Sequence, residues 1–372
     1  MSEKISPARL LLKALLLFLV CNLAVIPLAP LPRIARLSAY NELLPGRLRL
    51  PFGERPEQAY NLSLFSLEAM FASHVLADGA KPTDEYRVIL VGDSSVWGFL
   101  LEPQDTLAAY LNAASMRSPD GRVMRFYNLG YPTMSLTKDL LLLSQAMAYQ
   151  PDLVIWLLTL ESFPDTKQLA SPILQHNPSA VRQMIADYLL DLDRDNPAFV
   201  TPSLLDQTLV GQRRAWADVL RLQLYGVLWT ATGIDQFYPD KYDPPQEDLS
   251  DELSFHDLQP PTLQPSDLAL ETLYAGVQRA GNVPILFVNE PMYLSQGENS
   301  QIRYNFFYPR WAYDQYRQLL AETCDRNQWL CLDAWDLVPA SEFTNSAIHM
   351  TPLGTQMLAE KIALELWELF CK

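Results

Sequence analysis

From Tyr86 onward, short apolar runs rich in β-branched residues alternate with longer stretches whose apolar positions recur every three or four residues. The short runs predict strands at 86–91, 124–129, 152–159, 283–289 and 329–332. The longer stretches predict helices at 104–114, 135–149, 267–280, 309–325 and 352–370. Alternating β and α with apolar strands is the pattern of a parallel sheet covered on both faces. Right-handed crossovers turn it into an α/β fold, a doubly wound three-layer α/β/α sandwich with five strands.

Three segments fall outside that alternation. Ala14 to Leu31 is apolar, broken only by Asn22 and late prolines, and is long enough to cross a bilayer. Pro27, Pro30 and Pro32 crowd the place where a signal-peptide cleavage site would lie, so residues 1–31 are expected to be an uncleaved anchor rather than a removed signal segment. Lys4, Arg9 and Lys13 precede the span and Arg33, Arg36, Arg47 and Arg49 follow it, so the distribution of basic residues does not set its orientation. An N-terminal signal-anchor with an extracytoplasmic body is the commoner arrangement. Residues 32–84 form a connector with a short amphipathic helix over Leu64 to Leu76, on which His74 is expected to serve packing. Residues 85–372 form the main domain, interrupted at about 164–262 by an insert too long for an ordinary αβ connection. It contains helical spacing at 179–192 and 207–232, followed by a stretch rich in Pro and Asp, and is expected to be a lid or subdomain. Within it, Leu220 to Trp229 is expected to form subdomain core in preference to a surface meeting lipid or acyl chains. There is no internal repeat.

The chain has 372 residues, 49% of them apolar, and a net charge of −15, which argues against nucleic acid as a partner and against broad docking on anionic lipid. The cysteines Cys21, Cys324, Cys331 and Cys371 make no disulfide framework, although Cys324 and Cys331 either pair in an exported body or lie as two buried thiols. No cysteine pair has zinc-like spacing, and His74, His176, His256 and His349 are scattered; neither a metal nor a cofactor is expected.

Chemistry is expected at two places. The first strand ends in Val91-Gly92-Asp93-Ser94, with Gly98 shortly after, placing a serine on the turn between a buried strand and a helix beginning near Glu102. Ile348-His349-Met350-Thr351-Pro352-Leu353-Gly354 opens the last helix. A serine nucleophile needs a base, and a histidine with an ordinary pKa of about 6.5 suits that role near neutrality. Ser94 and His349 are therefore the expected catalytic pair. Asp93 is read as a turn-former.

With Asn128-Leu129-Gly130 after the second strand, these blocks resemble the GDSL/SGNH hydrolase superfamily over about residues 85–372, less the insert. The resemblance implies a flavodoxin-like sandwich, Ser94 as nucleophile, and the backbone N–H groups of Ser94 and Gly130 as oxyanion donors. Two positions depart from the family pattern. Where it usually offers an Asn as a third oxyanion donor, this chain has Glu161, in Thr159-Leu160-Glu161-Ser162. An ionised carboxylate repels an oxyanion, so Glu161 must point away, be protonated or do something else; Thr159, Ser162 or Asn289 is left to supply the donor. Where the family commonly has an Asp three residues before the His, this chain has Ser346, preceded by Asn345. Asp333 and Asp336, after the fifth strand, are the nearest acidic candidates, and a Ser–His dyad is the other option. A polar cluster at Asn289-Glu290-Pro291, with Asn299, Arg303, Tyr304 and Arg310 downstream, is placed to contact a sugar or acyl carrier.

The expectation is a membrane-anchored esterase or O-acyltransferase acting on an acylated envelope carbohydrate or lipid. The main rival is an inactive carbohydrate-binding module on the same fold. A nucleotide-binding sheet protein ranks below both, because the first turn lacks Gly-x-Gly-x-x-Gly and the chain has no P-loop. The sequence gives no oligomeric state.

Overall fold

A computed structural model of the protein describes residues 6–53, 55 and 57–370, with Tyr40 described by its backbone alone; Lys4 and Cys371 lie outside these residues. The chain opens with α1 (Pro7–Leu28), α2 (Pro30–Ala35), α3 (Ala39–Leu43) and α4 (Leu67–Ser73). The main domain then runs β1 (Glu85–Val91), α5 (Ser94–Trp97), α6 (Leu107–Ala113), β2 (Val123–Asn128), α7 (Leu136–Ala146) and β3 (Leu153–Leu158). The insert carries α8 (Asp165–Gln168), α9 (Pro172–Gln175), α10 (Pro178–Tyr188) and α11 (Arg213–Thr232). The domain closes with α12 (Glu271–Ala280), β4 (Ile285–Asn289), α13 (Arg310–Asn327), β5 (Leu330–Asp333) and α14 (Pro352–Phe370).

The five strands pair in parallel in the order β2-β1-β3-β4-β5, the flavodoxin-like winding. Alternate residues of β1 enter opposite cores: Ile89 and Val91 pack with α7 and α12, Val88 and Leu90 with α6 and α14. This two-sided burial is why the strands read as unbroken apolar runs. Predicted and observed strands agree to within two residues. Three of the predicted helices, at 104–114, 135–149 and 267–280, are shorter because one end of each is a 3₁₀ turn, at Pro103–Asp105, Met147–Tyr149 and Pro265–Asp267.

Three expectations change, and one that was open is settled. The helix after β1 starts at Ser94 itself and ends at Gly98, whose φ of 86° is left-handed. The connector shares the main core, since Leu50, Leu62, Met70 and Phe71 pack with β1, β3 and α7. Arg47 and Arg49 are buried rather than flanking the span: Arg49 pairs with Asp235 of the insert, stacks on Trp97, and donates to the carbonyls of Gly98 and Leu101 at 2.9 Å each. Finally, Cys324 and Cys331 form a disulfide joining α13 to β5. His74 is wholly buried, accepting from the Leu76 amide, and burial lowers its pKa to about 4.

The Leu220–Trp229 run divides. Val219, Leu222, Gly226 and Trp229 face inward, whereas Leu220, Leu224, Val227 and Leu228 are exposed, so only one stripe of α11 is core. α1 is apolar and long enough to cross a membrane, with a mean hydropathy of 2.4.

Candidate active site

In a parallel doubly wound sheet the carboxyl ends of the strands gather the loops that bind ligands. Gly92-Asp93-Ser94 leaves β1 there, Asn128-Leu129-Gly130 leaves β2, Thr159 to Ser162 leaves β3, and Asn289-Glu290 leaves β4. His349 enters the same end from the turn before α14. The result is a hydrogen bond between Ser94 Oγ and His349 Nε2 at 2.8 Å, across 255 residues of chain. The His349 ring also lies against Phe99, with centroids 4.9 Å apart. Burial lowers the His349 pKa to about 4, so the imidazole is neutral and able to accept the Ser94 proton throughout the physiological range.

The group behind the imidazole is an amide. His349 Nδ1 lies 3.2 Å from Asn345 Oδ1. With the oxygen so placed, Nδ1 carries the proton and Nε2 is left as acceptor for the serine. The Thr344 hydroxyl lies 3.3 Å from the same oxygen and 3.2 Å from the His349 carbonyl. Ser346, at the expected acid position, is buried and does not reach the ring. Asp333 is engaged elsewhere, bound by Arg317 at 2.7 Å and by Asn289 Nδ2 at 2.8 Å, and Asp336 is exposed. The family spacing points three residues before the histidine; the turn here brings the fourth residue, Asn345, back to the ring.

Ser94 opens α5, so its N–H is among the first-turn amides that have no intrahelical acceptor. The Gly130 N–H donates to Asn128 Oδ1 at 3.0 Å, while Asn128 Nδ2 donates to the Val96 carbonyl at 2.8 Å. Gly130 also lies against α5: a Cβ there would stand 2.4 Å from the Trp97 nitrogen, so only glycine allows this approach. Asn128 and Gly130 thus staple the second turn to α5. Two of the candidates for a third donor, Thr159 and Asn289, are already engaged. Thr159 Oγ1 and Tyr308 Oη are 2.5 Å apart, and Asn289 Oδ1 accepts from Tyr316 at 3.2 Å while its amide nitrogen donates to Asp333.

Glu161 is ionised and paired. Burial pushes its carboxyl up, but His256 at 3.0 Å and Lys167 at 2.8 Å outweigh burial and hold it below the ordinary range. Glu161 and Lys167 line a cavity of about 330 Å³ together with Ser94, Thr133, Ser171 and Phe307. The Lys167 charge offsets the carboxylate, so this wall does not repel an oxyanion as a bare Glu would.

Beneath the nucleophile turn lies a buried ionic cluster that the sequence pattern did not signal. Asp93 accepts from the Ser95 N–H at 2.8 Å, capping α5, and the Ser95 hydroxyl donates to Glu290. Lys138 Nζ donates to the Gly92 carbonyl at 2.8 Å and the Tyr131 carbonyl at 3.0 Å, and pairs with Asp139. Asp139 also accepts from the Trp156 indole at 3.1 Å. Burial raises Asp93, with Lys138 opposing it, and lifts Asp139 to about 6. Burial and then the Asp93 charge push Glu290 well above the carboxylate range, so it is held protonated. Lys138 therefore ties both turns, at Gly92 and Tyr131, to α7.

No protein-family model matches the chain, and no curated protein matches it either. Among solved structures it is similar to a GDSL-family lipolytic protein from Veillonella parvula DSM 2008 (TM-score 0.37, 10% identity, 76% of this chain and 98% of that one). It is also similar to a carbohydrate acetylesterase from Sinorhizobium meliloti (TM-score 0.36, 14% identity, 76% and 99%) and to an aryl esterase from M. smegmatis (TM-score 0.36, 12% identity, 76% and 99%). Likeness at that level is no guide to chemistry, which has to be read from the site itself. The parallel five-stranded sheet gathers at one end the Gly-Asp-Ser, Asn-Leu-Gly and His-Met-Thr-Pro blocks that carry the resemblance to the GDSL/SGNH pattern.

Proposed function

We propose that the protein is a serine-dependent esterase or O-acyltransferase, with Ser94 as nucleophile and His349 as general base. The observation that carries this is the 2.8 Å contact between Ser94 Oγ and His349 Nε2, with an orienting amide oxygen on the far side of the ring. The hydroxyl attacks the ester carbonyl and its proton passes to Nε2. The Ser94 amide is the first donor to the developing oxyanion, and the Gly130 amide joins it by exchanging its bond to Asn128. The imidazolium then protonates the departing alkoxide, leaving an acyl-serine. Water as the second nucleophile gives hydrolysis; a sugar hydroxyl gives transfer.

The cavity is near the small end of the range for ligand pockets, about 300–1,000 Å³. Its hydroxyls and its Lys167–Glu161 pair suit an acyl group on a polar, carbohydrate-like body. The apolar α1 and the Cys324–Cys331 disulfide support a membrane-anchored, extracytoplasmic body acting on an acylated envelope carbohydrate or lipid.

The second reading, an inactive carbohydrate-binding module, draws on the Gly130 amide's internal bond and on the engagement of Thr159 and Asn289 with other groups. A fluorophosphonate probe separates the two. Labelling of the wild type that is lost in Ser94→Ala and much weakened in His349→Ala supports catalysis. A folded wild type that takes no label at Ser94 refutes it.

A further inference from the structure

The insert carries more exposed apolar surface than a water-facing subdomain needs. In the loop before α11, Leu204 and Leu205 are 73% and 78% exposed, and Leu209 and Val210 are also exposed. On α11, Leu220, Leu224, Val227 and Leu228 stand outward at a spacing of i, i+4, i+7 and i+8, one continuous stripe. Arg213 and Arg214 lie at the helix start and Arg221 on its flank, all exposed. An apolar stripe bordered by long cationic side chains is the pattern of a helix lying in a membrane interface, where arginines reach up to the headgroups.

What covers this surface follows from its place beside α1. The insert is bonded to the apolar helix: the Val210 N–H donates to Asn22 Oδ1 at 3.0 Å. Asn22 is buried by that contact, although most of α1 is exposed. α11 in turn meets the chain that follows α1, with Gln223 accepting from the Ala39 N–H at 2.9 Å. Asn22 lies six residues before Leu28, the last residue of α1, which is about 9 Å along the axis at 1.5 Å per residue. The 22 residues of α1 make about 33 Å, close to the roughly 30 Å of a bilayer's hydrocarbon core, and exposed Arg33 and Arg36 follow at headgroup level. A loop touching Asn22 therefore sits about 9 Å inside the α1 end of that core. In hydrocarbon an unpaired Asn oxygen and an unpaired backbone N–H are both costly; here each satisfies the other.

We propose that the 204–210 loop and the outward stripe of α11 are immersed in the acyl-chain region of the bilayer next to α1, so that the catalytic body is seated in one leaflet rather than hanging from a tether. The protein's net charge of −15 means that apolar insertion, not attraction to anionic lipid, supplies the contact. The proposal rests on α1 as a membrane span and is independent of the chemistry at Ser94.

The test uses the full chain in phosphatidylcholine vesicles, with Cys21→Ser and Cys371→Ser leaving only the Cys324–Cys331 disulfide. Nitroxide labels go singly at Leu205→Cys and Leu224→Cys, with Leu16→Cys as the reference for the span and exposed Leu353→Cys, at the start of α14, for water. Collision with oxygen, which concentrates in lipid, is compared with collision with a water-soluble nickel chelate. Oxygen dominating at 16, 205 and 224, with the chelate dominating at 353, is the expected result. Chelate-dominated readings at 205 and 224 overturn the proposal. The Leu16 reading then tells whether the span itself has failed or only the immersion of the insert. Labels at 205 and 224 shielded from both reagents also overturn it, and point to a second copy of the chain on this surface.

Discussion

Replacing Asn345 with Asp tests the site most directly, because it changes one charge at nearly constant shape. Asn345 Oδ1 lies 3.2 Å from His349 Nδ1, and its side chain is exposed at the rim. A carboxylate there would face the imidazolium at about 4 Å between charge centres, worth about 4 kcal/mol at an effective dielectric of 20 and about 1 kcal/mol in bulk water. Exposure places the value toward the lower end, about 1–2 kcal/mol. That is roughly one pKa unit at 1.36 kcal/mol per unit, the low end of the 1–3 units typical for a neighbouring opposite charge. In the wild type the neutral imidazole is the active form, so kcat/KM rises with pH through about 4 and is flat above it. In Asn345→Asp this acidic limb moves up by about one unit. The same attraction stabilises the imidazolium formed in the transition state, so plateau kcat/KM rises roughly 5- to 30-fold. A ceiling comes from serine-protease triads, where the opposite exchange of acid for amide lowers kcat by about 10⁴ through the wrong tautomer. Asn345 Oδ1, facing Nδ1, already selects the right tautomer here, so the gain falls well short of that ceiling. The assay is hydrolysis of a p-nitrophenyl ester across pH 3–9, with thermal melting as the fold control. An unmoved acidic limb and an unchanged plateau in a folded variant would show that residue 345 does not act on the imidazole.

Three further outcomes follow from the buried polar groups and the disulfide. Glu290 has a raised folded pKa, so the stability it contributes is complete below the ordinary carboxyl range and is lost as pH rises through its folded value. Glu290→Gln keeps an oxygen for the Ser95 hydroxyl, and should melt with a flatter dependence on pH above the ordinary carboxyl range than the wild type; parallel curves contradict this. Lys138→Met strips the ammonium from Asp139 and from the Gly92 and Tyr131 carbonyls, and should cost about 3–5 kcal/mol in urea unfolding, as loss of one partner from a buried pair does. A loss under about 1 kcal/mol would mean the cluster repacks without it. Cys324→Ser opens a loop with a sequence separation of 7, for which chain entropy predicts a loss of about 2–3 kcal/mol, while esterase activity at 25 °C is retained. An unchanged melting temperature would locate the stability of the α13–β5 corner in its packing alone.

The sheet was legible because both its faces are buried: Val88 to Val91 and Leu153 to Leu158 cannot alternate polar with apolar when helices lie on each side, and the uninterrupted run is itself the signal. Ser94 and His349 were legible for a related reason. A parallel sheet delivers every strand's carboxyl end to one edge, so a serine after β1 and a histidine before α14 are carried to the same edge by topology alone. What sets the finer geometry leaves no periodic trace. Asn345 reaches His349 through a turn whose spacing differs by one residue from the family pattern, and in a turn one residue re-aims a side chain altogether. Glu161 looked incompatible with an oxyanion when read singly; it is compatible because Lys167 and His256 come to it from elsewhere in the insert, and charge pairing across loops is invisible to a one-dimensional reading. Lys138 sits one position before Asp139 on a helix that reads as amphipathic, where a lysine suggests solvent, yet it is wholly buried and donates to the carbonyls of Gly92 and Tyr131, joining the Tyr131 N–H on the Gly92 oxygen. The two turns around Ser94 thus converge on one buried cation. That convergence arises from three-dimensional closure of the loops, which is the level at which the rest of the site has to be read.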